Sequence, residues 1–211
     1  MIAETIPGYY DGVGRRVSEP KKRYHFSGRP MGSFLSQPLK VACRDIDEIR
    51  AFLATCGYVS DQQQFGVPDH WMVPQEFERT RCGDCEDFAI WTWRQLLGLE
   101  YQARFVVGRA GRYGEGHAWV TFRTGEKIYL VESLLARAGE KFPRLDTLRY
   151  KPAVSVEAVG TRVSFYEHDG GSREPRLRDM APFVVEWLLF MPGHILRKLN
   201  HRRGTCASQS A

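Results

Sequence analysis

The chain has 211 residues, of which 43% are hydrophobic and 12% aromatic, enough to bury one substantial core. This composition excludes an intrinsically disordered protein. The net charge of +5 is modest, and no zinc-finger spacing or RNA-binding signature accompanies the basic residues, so no nucleic-acid partner is expected.

The amino terminus and the cysteines bear on the compartment. Met1 to Tyr10 lacks the basic start and the apolar run of a secretory signal, so we expect a cytoplasmic protein. The five cysteines are an odd number without the spacing of a disulfide framework, so reduced thiols are expected. They are Cys43, Cys56, Cys82, Cys85 and Cys206.

The residue patterns divide the chain into three parts. Residues 1–40 are rich in glycine, proline and basic residues, which predicts an irregular arm. Residues 41–170 carry the patterns of a folded domain, and residues 171–211 combine an apolar helix with a basic tail. The apolar stretch from Pro182 to Leu199 is too short and interrupted to span a bilayer, which needs about 20 residues. Packing on the domain is expected for it, with contact with a membrane surface as the alternative.

Two shorter helices are predicted first. Asp45 to Cys56 has apolar residues at helical spacing and ends at Gly57. A short helix is expected to begin near Pro74, because proline is favoured at the first helical position.

The best-marked helix is Cys85 to Leu97. Asp84 is a suitable N-cap, Asp87 follows three residues later, and Gly98 is expected to end the helix. A single apolar stripe is predicted, so the thiol of Cys85 should face the body of the domain. The stripe consists of Cys85, Phe88, Ala89, Trp93, Leu96 and Leu97.

Four strands follow, separated by glycine-rich connections. They are Tyr101 to Arg109, His117 to Arg123, Lys127 to Ser133 and Ala153 to Tyr166. The stretch from Gly108 to Gly116 lies between two strands and does not open a helix, so it is interpreted as a hairpin loop rather than a phosphate-binding loop. The pattern predicts an α+β fold in which the Cys85 helix packs on an antiparallel sheet.

Three side chains in this domain have the chemistry of a thiol nucleophile and its partners. Cys85 lies at a helix start, and His117 and Glu132 lie on two consecutive strands. A thiol nucleophile needs a base to take its proton and a third group to orient the base. A helix N-terminus and a nearby imidazolium lower a thiol pKa, whereas the acidic residues Asp84 and Glu86 beside it act in the opposite direction.

The hairpin between the two strands allows two registers. A loop of Thr124 and Gly125 would place His117 directly opposite Glu132. A loop of Gly125 and Glu126 would place Glu132 opposite Trp119, whose side chain shares the face of His117. Both registers bring imidazole and carboxylate to one face, with β-carbons roughly 5 to 8 Å apart.

Other interpretations of these residues remain open. Cys82 and Cys85 form a C-x-x-C pair, which could indicate a redox site or, with two further ligands, a zinc site. Cys85 alone would more often be a buried structural thiol. Trp71 and Trp119 could line a substrate groove beside the thiol.

Several linked motifs resemble the transglutaminase-like superfamily, and within it the bacterial transglutaminase-like cysteine proteinases. The matching residues cover roughly 45–135 and occur in one order along the chain. They are Trp71, Pro74 and Glu76, then residues 83–89 (GDCEDFA), 103–108 (ARFVVG), 116–120 (GHAWV) and 130–132 (LVE).

The resemblance implies a papain-like fold for the catalytic domain at 41–170, with Cys85 as nucleophile, His117 as base and Glu132 as third member. The family most often has Asp at the third position, and adhesin-cleaving members of the proteinase group are exported. Some members bind calcium through acidic residues beside the nucleophile, which match Asp84, Glu86 and Asp87. Helix capping explains the same residues without a metal.

The expected function is thiol-dependent acyl transfer on a peptide or protein substrate, as a cysteine peptidase or amidase with a Cys-His-Glu triad. No cofactor is required for that chemistry. One alternative is amine transfer of the protein-glutamine transglutaminase type. Another is a non-catalytic binding module on the same fold.

Overall fold

A computed structural model describes residues 2–4, 15–17, 29–110, 114–125, 127–132 and 150–168. The predicted C-terminal helix from Pro182 to Leu199 and the basic tail lie outside these residues, so the division of the chain into three parts stays a prediction. No helix among the described residues is long and apolar enough to cross a membrane.

The described residues form four α-helices, a 3-10 turn and nine strands. The helices are α1 (Ile46–Leu53), α2 (Asp61–Gln64), α3 (Pro74–Thr80) and α4 (Cys85–Gly98), and the 3-10 turn is Met31–Leu35. The strands are β1 (Ile2–Glu4), β2 (Arg15–Val17), β3 (Gly57–Tyr58), β4 (Cys82–Gly83), β5 (Gln102–Ala110), β6 (Glu115–Thr124), β7 (Lys127–Val131), β8 (Lys151–Val159) and β9 (Arg162–Glu167).

Seven strands make one antiparallel sheet in the order β1-β7-β6-β5-β8-β9-β2, and α4 packs against its central strands β5 and β6. The predicted α+β fold, with the Cys85 helix packed on an antiparallel sheet, is therefore confirmed. Strands β3 and β4 form a separate parallel pair, and β4 comes immediately before α4. This pair fixes the chain where the helix begins.

The single strand predicted from Ala153 to Tyr166 is wrong. The structure has two strands, β8 and β9, joined by a tight turn in which Val159 pairs with Arg162. Gly160 in this turn has φ +59°, a left-handed conformation that glycine adopts without a side-chain penalty. Both sides of the turn are strand-like in composition, so the reversal depends on this one glycine.

The N-terminal arm contributes to the sheet at both edges. Strand β1 pairs with β7 and strand β2 with β9, each over three residues. The arm was expected to be irregular, and the difference has a simple cause. Strands this short show no hydrophobic period, because their hydrogen bonds come from the edge of a preformed sheet.

The end of α4 lies at Gly98 as expected, but a different residue closes it. Gly98 is the last helical residue and Leu99 the C-cap, and it is Glu100 that takes the left-handed conformation, with φ 63°. The N–H groups of Glu100 and Tyr101 bond back to the carbonyls of Leu97 and Leu96 at 3.1 and 3.0 Å. These bonds satisfy the helix end in a Schellman motif without glycine.

Helix α4 is buried on almost every side rather than along one stripe. Its residues Phe88, Ala89, Ile90, Trp91 and Trp93 are all fully buried. The Trp91 ring stacks on another ring of the core, with centroids 4.0 Å apart, and its indole N–H donates to a carboxylate of α3 at 3.1 Å. The helix is therefore held between α1, α3 and the sheet, which fixes the position of its first residue, Cys85.

Gly108 on β5 provides a test of this packing. A β-carbon at this position would lie 2.2 Å from the carbonyl oxygen of Lys151 and 2.7 Å from the Trp119 ring. Because a backbone atom cannot yield easily, we expect Gly108→Ala to lower the free energy of unfolding by about 1–3 kcal/mol in urea denaturation.

Gly98→Ala is the matched control, because nothing lies within 4 Å of an added β-carbon there. It should leave stability unchanged or raise it by up to about 1 kcal/mol, since alanine is favoured over glycine in a helix. Equal losses in both variants would contradict the packing described for Gly108.

Candidate active site

The thiol of Cys85 lies beside the strand that carries His117. Cys85 is half-buried, is a free cysteine, and is the first residue of α4. Its sulfur accepts a hydrogen bond from the backbone N–H of Ala118, the residue directly after His117. A strand N–H points along the sheet rather than out of one face, so the sulfur lies at the level of β6.

His117 and Glu132 are joined by a buried contact. The Nε2 atom of His117 lies 2.7 Å from Oε2 of Glu132, and the two residues are 4% and 0% exposed. Thr124 pairs with Lys127 in the hairpin, which is the register that sets Glu132 opposite Trp119 and diagonal to His117. Since Nε2 faces the carboxylate, Nδ1 is the ring nitrogen that is left to exchange a proton with another group.

The pairing of β6 with β7 ends just before these residues. The last pair is Val120 with Val131, so the two strands diverge from Trp119 and Glu132 onwards. The start of α4 approaches β6 at this divergence. The structure thus brings Cys85 beside the His117 backbone, and Glu132 to the His117 ring.

Trp119 and Tyr150 support the His117 ring from behind. The rings of His117 and Trp119 are stacked with centroids 6.1 Å apart, and Trp119 meets Tyr150 edge to face at 5.2 Å. Trp119 is fully buried, so it supports the His117 ring. It does not line a substrate groove, which the sequence left open as a possibility. Tyr150 donates its hydroxyl to Glu132 Oε2 at 2.8 Å, a contact that no local pattern in the sequence indicates.

Trp71 also lies in the core rather than along a groove. It is 5% exposed and packs near the rings of Phe34 and Phe105. Its indole N–H donates to Asp69 at 2.9 Å. Its place in the motif therefore reflects packing in the main core.

Four carboxylates surround the start of α4. Asp84, Glu86 and Asp87 were candidate metal ligands from the sequence, and the structure adds Asp61 from α2 to them. One oxygen of each of Asp61, Asp84 and Asp87 lies within 4.8 Å of the others. The Oδ1 atoms of Asp61 and Asp84 are buried and have no hydrogen-bond partner among the described residues.

Asp87 has both of its oxygens engaged with the backbone. It accepts hydrogen bonds from the N–H of Met72 at 2.8 Å and of Asp84 at 3.1 Å. The second bond is half of the capping box expected for α4. Capping and a carboxylate cluster are therefore both present, and neither excludes the other.

Burial and mutual repulsion raise the pKa of these carboxyl groups. Burial first, and then the charge of Glu86, raises the pKa of Asp84 to about 10. Burial raises the pKa of Glu86 to about 7, and burial with the charge of Asp84 raises that of Asp87 well above its usual range. Burial is also the main cause of the raised pKa of Asp61.

The same surroundings act on the thiol. Burial, and then the charges of Glu86 and Asp84, raise the pKa of Cys85 well above its usual value. The thiol donates to Glu86 Oε2 at 3.0 Å. Burial and the acidic neighbours together therefore outweigh the lowering effect of the Ala118 N–H on the thiol pKa.

The C-x-x-C pair does not form a disulfide. Cys85 is free, whereas Cys82 is disulfide-bonded, so the expectation that all thiols are reduced is wrong for Cys82. Cys82 is also 5% exposed, on the strand that precedes α4. A Cys82–Cys85 redox couple is not what this structure holds.

Comparison with known proteins finds a family model that matches part of the chain, and solved structures that resemble it. Residues 69–170, just under half of the chain, match the family model of the CEP76 peptidase-like domain. Cys85, His117 and Glu132 all fall within this segment. No curated protein matches the chain.

Solved structures similar to the chain include forms of Legionella pneumophila LapG. An EGTA-treated form is 22% identical with a TM-score of 0.47, and covers 72% of this chain and 78% of that one. Another LapG structure is 21% identical with a TM-score of 0.45, at 80% and 83% coverage. A calcium-bound form is 22% identical with a TM-score of 0.44, at 70% and 78% coverage.

The raised carboxyl pKa values predict an unusual pH dependence of stability. A carboxyl whose pKa is higher in the folded than in the unfolded state binds protons more tightly when folded, so stability falls as pH rises through the folded pKa. In EGTA, we expect the free energy of unfolding to fall from pH 5 to pH 8, by roughly 1.4 kcal/mol per pH unit for each excess proton held.

Glu86→Gln should flatten this dependence, because Glu86 has its pKa raised to about 7 within the range tested. Asp47→Asn is the control, since Asp47 is exposed on α1. Chemical denaturation at several pH values measures both. If the free energy of unfolding of the wild type rose steadily with pH, that result would contradict the raised pKa values of the buried carboxyl groups.

Proposed function

We propose that this chain is a cysteine peptidase or amidase. The proposal builds on an assignment to the transglutaminase-like superfamily, which the family-model match over residues 69–170 supports. Cys85 would be the nucleophile, His117 the base and Glu132 the group that orients the base. The substrate class is a peptide or protein amide. The observation that carries the proposal is the buried 2.7 Å contact between His117 and Glu132, next to the strand N–H that contacts the sulfur of Cys85.

The first step is attack on the amide carbon. Nδ1 of His117 takes the thiol proton, and the sulfur forms a bond to the carbonyl carbon. The backbone N–H of Cys85 lies in the first turn of α4, where helical N–H groups lack intrahelical partners, and it is the oxyanion donor. Glu132 stabilises the imidazolium that forms and holds its ring in place.

The second step releases the amine and then the acid. His117 gives its proton to the leaving nitrogen as the C–N bond breaks, which leaves a thioester on Cys85. Water, deprotonated by His117, attacks the thioester and regenerates the thiol. If an amine attacked in place of water, the product would be a new amide, which is the transglutaminase-type alternative.

The acidic residues at the helix start have the chemistry of a calcium site. Calcium binds sets of carboxylate and carbonyl oxygens, and Asp61, Asp84, Glu86 and Asp87 offer such a set with two buried oxygens unsatisfied among the described residues. We extend the proposal to calcium at this cluster. A bound cation would offset the negative charge that keeps the thiol protonated.

Alkylation separates an enzyme from a binding module. With calcium present, we expect iodoacetamide to modify Cys85 at a rate that reaches its plateau at low pH, and His117→Ala or Glu132→Gln should shift that plateau, because the imidazolium stabilises the thiolate. Cys43 is the internal control, since burial and then Glu48 raise its pKa to about 11. If Cys85 instead shows no rise to a plateau and reacts below pH 7 only as fast as Cys43, that result would favour the binding module.

Turnover can be tested without knowing the substrate. We expect a cell lysate incubated with the protein to gain new peptide amino termini that are missing when Cys85→Ala is used. Mass spectrometry of labelled amino termini measures this. Identical termini with both proteins would argue against a peptidase, and new isopeptide cross-links in their place would favour amine transfer.

Calcium binding is measurable without activity. We expect calcium chloride to raise the melting temperature saturably in wild type, more than magnesium chloride does, because the buried cluster offers several oxygens to a large cation. Asp61→Asn should weaken the effect, while Asp47→Asn on the exposed face of α1 should not. No calcium-dependent shift in wild type would sink the calcium proposal and leave the peptidase proposal standing.

A further inference from the structure

We propose that Tyr150 is a positioning residue that fixes the carboxylate of Glu132 so that its Oε2 atom stays on the His117 ring. The inference rests on the proposed function, since it assigns a role within the same site. Tyr150 lies behind the ring, where it contacts Glu132 and the rings of His117 and Trp119.

Two donors converge on one carboxylate oxygen. The Tyr150 hydroxyl donates to Oε2 of Glu132 at 2.8 Å, and Nε2 of His117 lies 2.7 Å from the same atom. A carboxylate oxygen has about two lone-pair sites, so these contacts occupy both. Because Glu132 is fully buried, solvent cannot replace either contact.

The Tyr150 ring is itself held in one orientation. It is 6% exposed and meets Trp119 edge to face, at an interplanar angle of 68°. It also belongs to a small buried cluster with Val106, Ala110 and Leu130 on the sheet. The hydroxyl therefore points at Glu132 from a fixed position, and a positioning role requires this.

The need for such a contact follows from the length of the glutamate side chain. Glutamate has one more rotatable bond than aspartate, so a buried glutamate has more ways to place its oxygens. The hydroxyl removes that freedom by binding the oxygen that His117 uses. Tyr150 also remains a donor at all relevant pH, because burial, with the charge of Glu132, raises its pKa well above the usual value.

Tyr150→Phe is the central test, because phenylalanine keeps the ring and removes only the hydroxyl. We expect the rate of Cys85 alkylation by iodoacetamide, with calcium present, to fall roughly tenfold, the effect of losing one hydrogen bond to a charged group. We also expect the Nε2–H proton resonance of His117, assigned by its loss in His117→Gln, to move upfield and broaden as Glu132 loosens.

The control and the coupled variant separate positioning from packing. Tyr166→Phe removes a hydroxyl that bonds Glu157 elsewhere in the sheet, and it should leave the Cys85 rate within about twofold of wild type. In a Glu132→Gln background, Tyr150→Phe should add less than about a twofold further loss, because the contact it acts through is already changed. A purely packing role would give the same loss in both backgrounds.

The outcomes distinguish the two proposals. If His117→Ala does not slow alkylation of Cys85, the proposed function fails and this inference fails with it. If His117→Ala slows alkylation but Tyr150→Phe changes neither the rate nor the Nε2–H resonance, the proposed function stands and the role of Tyr150 is overturned.

Discussion

The divergence of β6 from β7 is the constraint on which the site depends. While two antiparallel strands stay paired, their N–H and C=O groups are used by each other. Here the pairing ends at Val120 and Val131, and the start of α4 approaches the released edge. The Ala118 N–H binds the sulfur of Cys85, and Glu132 reaches back to His117 across the same divergence. A hairpin slipped by one residue would change the partner of every side chain involved.

The rigidity of this arrangement comes from two cores on opposite faces of the sheet. Helix α4, buried on nearly all sides, fixes the thiol, while Trp119 and Tyr150 support the imidazole and the carboxylate. Gly108 on β5 pairs with His117 on β6. Because Gly108 has no side chain, the Trp119 ring can lie directly against it. The site is thus assembled from elements that cannot shift independently.

The electrostatics of the helix start set a condition on the chemistry. A half-buried thiol beside several carboxylates favours its protonated form, yet nucleophilic attack needs thiolate. The same carboxylates form a compact set of oxygens that suits a divalent cation. Both facts are consistent if cation binding and thiol activation are linked, which would make the acidic residues part of the control of the site rather than only a helix cap.

Much of the fold could be predicted because its signals are local. The cap at Asp84, the apolar residues of α4 and the hairpin after β6 each depend on neighbouring residues. The sequence left two hairpin registers open, and they differ only in which two residues form the loop. Tyr150 and Asp61 could not be predicted, since they reach the site from segments distant in sequence and carry no periodic signal. Gly98 is the last residue of α4 as expected, but the left-handed residue that closes the helix end is Glu100, which composition does not reveal.

The central claim is that Cys85, His117 and Glu132 act as one unit, and kinetic non-additivity tests it most directly. The measurement is the rate of Cys85-dependent amide cleavage in His117→Ala, Glu132→Gln and the double variant. If Glu132 acts only through His117, the double variant should be about as slow as His117→Ala alone. Losses that multiply in the double variant would show that the two residues act independently, and would contradict the account.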